Sequence, residues 1–271
     1  MPIDRARFGL SVGVALCVLA GSVPAEAHGP SDPLGLHANQ WQVGGFVYIS
    51  PSYEGGKSYD VIGFPFIAPA GLGEGGALQI KGIDDVRLRL FQTGAIEFGP
   101  LAGYRFSRDE DDAARLNGMG DIDGGLVAGA FATYRAGPFA TSLSYHHQAT
   151  GDETGGLIRF GLEHFHRLSP RMKVTTSLGT NYATEDYMAA FFGVTGAQSV
   201  ASGLDAYDAS AGFKDVYAGV TASIDLSDRW SLLLMGRYAR LIGDAADSPV
   251  IETENQLYGG VGLSYKFSGR Y

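Results

Sequence analysis

Gln256-Leu257-Tyr258-Gly259-Gly260-Val261-Gly262-Leu263-Ser264-Tyr265-Lys266-Phe267 alternates with a period of two. Leu257, Gly259, Val261, Leu263, Tyr265 and Phe267 form one face, and Gln256, Gly260, Gly262, Ser264 and Lys266 dominate the other, with Tyr258 the exception. Successive side chains of a strand point to opposite faces, so this stretch predicts a strand with one apolar and one small or polar face.

The same division extends through the chain. Val216, Ala218, Val220, Ala222, Ile224 and Leu226 alternate with Tyr217, Gly219, Thr221, Ser223 and Asp225. Phe139, Thr141, Leu143 and Tyr145 oppose Ala140, Ser142, Ser144 and His146, and residues 172–182 read alike. Residues 96–106 alternate too, interrupted by Pro100, which suggests a bulge. Adding 41–50, 61–68, 77–91, 123–135, 155–167, 209–214 and 230–241 gives about twelve candidate strands, an even number of the kind bacterial barrels use.

Alternation alone does not separate a soluble sandwich from a membrane barrel, because the barrel simply inverts which face is apolar. Three features favour an antiparallel up-and-down transmembrane barrel. Aromatic residues such as Trp41, Tyr104, Tyr134, Tyr145, Trp230, Tyr238 and Tyr265 sit near strand ends, as interfacial girdles require. The polar faces are rich in Gly, Ser and Thr, which suits a crowded interior. An exported sandwich of this size would often carry disulfides, and the single cysteine is Cys17, near the N-terminus.

Export itself is read from Arg5 and Arg7, the apolar run from Phe8 to Ala20 and the small-residue site ending Ala25-Glu26-Ala27. Residues 1–27 are expected to be a cleaved signal peptide, and residues 28–271 one barrel domain in the outer membrane. The formal net charge of −9 survives cleavage, since Arg5 and Arg7 cancel Asp4 and Glu26. An acidic chain without a basic cluster speaks against nucleic acid as a partner. Tight links at Ala136-Gly137, Leu168-Ser169-Pro170 and Ser227-Asp228 read as periplasmic turns. The stretches 108–122, 148–155, 184–208 and 243–255 read as outer loops.

Particular segments resemble the MipA/OmpV family of outer-membrane proteins, named for a protein that interacts with a lytic murein transglycosylase. They are Gly44 to Tyr53 with the following Glu54-Gly55, Phe64-Pro65, and Asn117-Gly118-Met119-Gly120-Asp121-Ile122-Asp123. The most specific is Tyr187-Met188-Ala189-Ala190-Phe191-Phe192-Gly193-Val194-Thr195 through Tyr207, followed by Leu241 to Val250. The resemblance covers nearly all of the mature chain. Members usually finish at an aromatic equivalent to Phe267, whereas this chain continues Ser268-Gly269-Arg270-Tyr271. Tyr265, Phe267 and Tyr271 share one phase and are the candidate signal for the outer-membrane assembly machinery.

Several constellations have plainer readings. Asp109-Glu110-Asp111-Asp112 lacks the spacing of a calcium loop and reads as a solvated loop. His164 and His166 share a face without a third ligand in sight, and neither a metal nor a cofactor is expected. Ser144 and His146 also share a face, which raises a lipid hydrolase, but both point inward and no third group is identified. Tyr187, Met188, Phe191 and Phe192 lie on a stretch that is neither cleanly alternating nor charged: they form a candidate lid or plug, or else a strand extending above the membrane to an ordinary hairpin loop. Arg87, Arg89, Arg105, Arg159, Glu163 and Arg237 fall on interior faces and are candidate lumen-lining residues.

The resemblance implies a non-enzymatic scaffold for murein hydrolase and synthase complexes, with a lytic transglycosylase and a murein synthase as partners beside membrane lipid and lipopolysaccharide. A small solute channel is the alternative, and a lipid hydrolase a third.

Overall fold

A computed structural model describes residues 40–69, 77–152 and 154–268. The expected export signal with Cys17, and Tyr271 of the candidate assembly signal, lie outside the described residues.

Among the described residues thirteen strands form one antiparallel sheet. They are β1 (Gln40–Pro51), β2 (Tyr59–Pro69), β3 (Leu78–Gly82), β4 (Asp85–Leu88), β5 (Phe91–Thr93), β6 (Ile96–Arg105), β7 (Gly125–Ala136), β8 (Phe139–Gln148), β9 (Gly156–Ser169), β10 (Met172–Ala183), β11 (Gly212–Asp225), β12 (Trp230–Leu241) and β13 (Asn255–Ser268). Neighbours in sequence pair from β6 through β13, and β13 then pairs with β1 from Gln40 opposite Ser268 to Ile49 opposite Gly259. The two ends of the hydrogen-bonded path are β2 and β3, which meet through Ala68 and Ile80.

The inversion left open by alternation is settled by exposure. Val43, Val47, Leu126, Leu143, Leu178, Val220, Leu257 and Val261 all face outward and exposed. Asp85, Arg87, Glu97, Lys214 and Asp215 are buried inside. A water-soluble sandwich cannot leave so large an apolar surface uncovered while enclosing its charges, whereas lipid is the solvent that makes this arrangement stable. Exposed rings mark both rims, with Phe91, Phe98, Tyr134, Phe139 and Trp230 at one and Tyr104, Phe106, Tyr145, Phe213 and Tyr238 at the other. No helix among the described residues is long and apolar enough to cross a membrane.

Two strand expectations need correction. Residues 77–91 do not form one wall strand: they divide into β3, β4 and β5. Across from β6, residues 88–90 stand opposite Gly99 and Pro100, so the bulge expected at Pro100 sits where the β4 and β5 pairings with β6 part. Residues 209–214 form no strand of their own, because β11 runs unbroken from Gly212.

The two ends of the barrel differ. Gly94 and Gly137, both with positive φ, close tight turns at the end bearing Trp230. The opposite end carries the long connections and three short helices, α1 (Glu185–Phe192), α2 (Gly196–Ser202) and α3 (Asp244–Asp247).

Candidate functional site

The interior is built around the β3–β4 hairpin, whose tip reaches across the lumen. A membrane strand cannot turn Lys81, Asp84, Asp85, Arg87 and Arg89 toward lipid, and these charges find partners inside instead. Lys81 Nζ donates to both oxygens of Glu163 on β9, at 3.0 and 2.9 Å. Arg159, also on β9, grips Asp84 with two parallel hydrogen bonds, one of them Nη1 to Oδ1 at 3.0 Å. Arg87 forks onto Asp85 at 2.7 and 2.8 Å. On the far side Ile83 packs against Phe46, Phe64 and Leu233, from β1, β2 and β12.

Glycine on β6 is what lets the hairpin lie so close. A Cβ on Gly103 would come within 2.4 Å of Asp84 Cα, and one on Gly99 within 1.9 Å of the Leu88 carbonyl oxygen. Nearer the tight-turn end, Glu97 accepts from Arg135 at 2.8 Å, Gln79 at 3.0 Å and Arg89 at 3.4 Å. Three of the six interior candidates meet rings: the Arg237 guanidinium lies 3.8 Å from the centroid of Tyr217, and those of Arg87 and Arg105 lie 5.0 Å from Phe131 and Tyr187.

Ser144 and His146 are brought together with hydrolase-like spacing. The Asp84 carbonyl accepts from Nδ1 at 3.1 Å, which assigns the proton to that nitrogen and leaves Nε2 to accept from Ser144 Oγ at 2.9 Å. Both side chains are almost wholly buried, and the group behind the imidazole is a backbone carbonyl, not a carboxylate. In this setting the pair holds the hairpin tip to β8.

The end with the long connections carries helices: the candidate lid or plug residues Tyr187, Met188, Phe191 and Phe192 lie on α1, a helical form that the sequence reading did not anticipate. Met188 and Phe192 of α1 are fully buried with Leu157, Ala183, Ala209, Leu241 and Ala245. Tyr53, Leu116, Met119, Val194 and Val250 form a second small core from four different connections. Tyr187 donates to Glu54 at 3.2 Å, and Glu54 in turn pairs with Lys214, which binds Asp215 at 2.7 Å. Burial and the neighbouring Glu54 raise the Tyr187 phenol above its ordinary range. Burial and Glu252 do the same for Tyr53. Between this layer and the hairpin tip lies a cavity of about 220 Å³, whose walls include Glu54, Asp84, Arg105, Arg108, Arg159 and Tyr187.

The acidic run is used locally. Glu110 accepts from the amides of Gly118 and Gly120, and Asp112 from the amide of Asp109. Among the described residues no group of three or more His, Cys, Asp or Glu is arranged to hold a metal. His164 and His166 meet edge to face, with Phe139 stacked on His164.

The model of the family described as MltA-interacting protein MipA matches residues 43–267, from within β1 to the penultimate residue of β13. The chain belongs to the MipA family. Outer membrane protein Omp26La of Vibrio anguillarum is 24% identical over 95% of this chain and 99% of its own. Outer membrane protein OmpV of Vibrio cholerae is 26% identical over 62% and 64% respectively. The MltA-interacting protein of Escherichia coli K12 is 28% identical over 35% and 38%. This MipA-family chain is accordingly an outer-membrane protein. The segments on which the resemblance chiefly rested, 187–207 and 241–250, build most of α1 and all of α2 and α3 at the end with the long connections.

Proposed function

We propose that this MipA-family barrel is a closed scaffold that presents binding surfaces for periplasmic murein hydrolase and synthase enzymes and conducts no solute. The observation that carries this reading is the β3–β4 hairpin, which fills the lumen with paired charges and an apolar contact to the opposite wall. A lumen so occupied has little use for its width, and the available function shifts to the exterior and the turns. The family name supports the choice of partner, since one relative is itself called MltA-interacting protein. On this reading the tight-turn end, with exposed Arg171 and Asp228, faces the enzymes, and α1 to α3 face outward to lipopolysaccharide.

Planar-bilayer recording of the purified barrel, with crosslinking in intact cells, tests the reading. Silence in the bilayer and recovery of a lytic transglycosylase crosslinked to the tight turns are expected. Reproducible conductance without such a partner would support the channel instead. One observation favours that second reading: among the described residues the sheet is not joined by hydrogen bonds between β2 and β3.

A further inference from the structure

The cavity beneath α1 contains more buried positive charge than its own walls neutralise. Asp84 is occupied by Arg159 and Glu54 by Lys214. Arg105 and Arg108 have no carboxylate within ion-pair distance among the described residues. Arg105 Nη1 makes only long contacts, to neutral Gln148 at 3.4 Å and Thr154 at 3.3 Å, while its Nη2 is buried without a partner. Arg108 is 5% exposed, reaches two carbonyls at 3.5 and 3.3 Å, and leaves Nε buried and unpartnered. Burial depresses the Arg108 guanidinium, with Tyr53, Asp112 and Asp121 opposing that from beyond ion-pair range.

Leaving donors of two guanidinium groups unmade beside a cavity is costly unless something else accepts from them. A guanidinium fork matches a carboxylate, and Leu157 and Phe191 add apolar wall. At about 220 Å³ the space is below the ~300–1,000 Å³ typical of drug-sized ligands, so the occupant is small. We propose that this cavity binds a small organic carboxylate, its charged end on Arg105 and Arg108 and its hydrocarbon body against Leu157 and Phe191. This goes beyond the scaffold reading and stands or falls without it.

Isothermal titration of the folded full-length barrel in detergent micelles, with benzoate as probe, tests the site. Benzyl alcohol supplies the body without the charge, and inorganic phosphate the charge without the body. Saturable benzoate binding is expected, weakened roughly tenfold or more by Arg105→Gln and by Arg108→Gln. Arg105→Lys, which keeps charge but loses the fork, should fall between, and Arg171→Gln at the opposite end should change nothing. Heat-modifiable gel migration reports whether each variant is folded, and Arg105→Lys keeps the test intact should Arg108→Gln fail to fold. Absence of saturable binding to the folded wild type would overturn the proposal. So would unchanged affinity in the arginine variants, or binding of benzyl alcohol or phosphate as tight as that of benzoate.

Discussion

Replacing Asp84 by alanine removes both hydrogen bonds that Arg159 makes at the hairpin tip and leaves that guanidinium inside the barrel without its carboxylate. Breaking a fully buried pair costs about 3–5 kcal/mol, and a hydrogen bond to a charged group contributes about 1.5–3. The side chains here are 27% and 21% exposed, so some solvation of Arg159 is recovered. The expected loss is therefore about 2–3 kcal/mol. Urea unfolding of the barrel in lipid vesicles measures it, and Arg159→Ala and the double variant complete a thermodynamic cycle. The double variant should be less destabilised than the sum of the singles by at least about 1 kcal/mol, because it leaves no orphaned charge. Bilayer recording of Asp84→Ala should reveal brief openings as the hairpin loosens. A coupling below about 0.5 kcal/mol would refute the view that this pair pins the hairpin in the lumen.

Gly103→Val sets side-chain atoms where Asp84 Cα lies and should displace the hairpin at a cost of about 1–3 kcal/mol, read as a lower urea midpoint and a gain of conductance. Phe192→Ala empties a fully buried position under the outer helices and should cost that layer about 3–5 kcal/mol, seen as faster external proteolysis near α1 with the heat-modifiable barrel intact. Tyr53 and Tyr187 are both raised in the folded state, so the stability they lend is full below the ordinary tyrosine value near ~10 and is lost as pH rises above it. Hydrogen exchange of α1 should accelerate above about pH 10, and the phenolate absorbance of the wild type minus Tyr187→Phe should appear later than that of free tyrosine.

The period-two pattern by itself located every strand from β6 to β13, with one too many at 209–214, and the rim aromatics, because the direction of a side chain on a strand depends only on its position in the local chain. Turn residues likewise fixed which connections are tight, since Gly137 needs its positive φ whatever surrounds it. Residues 77–91 escaped that reading. They alternate well enough to pass for a wall strand, and the sign that they do not lie in the wall was their charge density, with Lys81, Asp84, Asp85, Arg87 and Arg89 in nine residues. Even so, charge says only that lipid is excluded and does not name a partner. That partner is Arg159, 75 residues away, reached because Gly103 offers no side chain at the crossing point. The helices over the outer end were hidden for a similar reason, being too short for a helical period to stand out and stabilised by cores drawn from several separate connections. Which charges remain unpaired is decided at the same level. Nothing local distinguishes Arg105 from Arg159, and Arg108 opens a connection that reads as a solvated loop; only the assembled lumen gives Asp84 to Arg159 and sets Arg105 and Arg108 beside the cavity without a carboxylate.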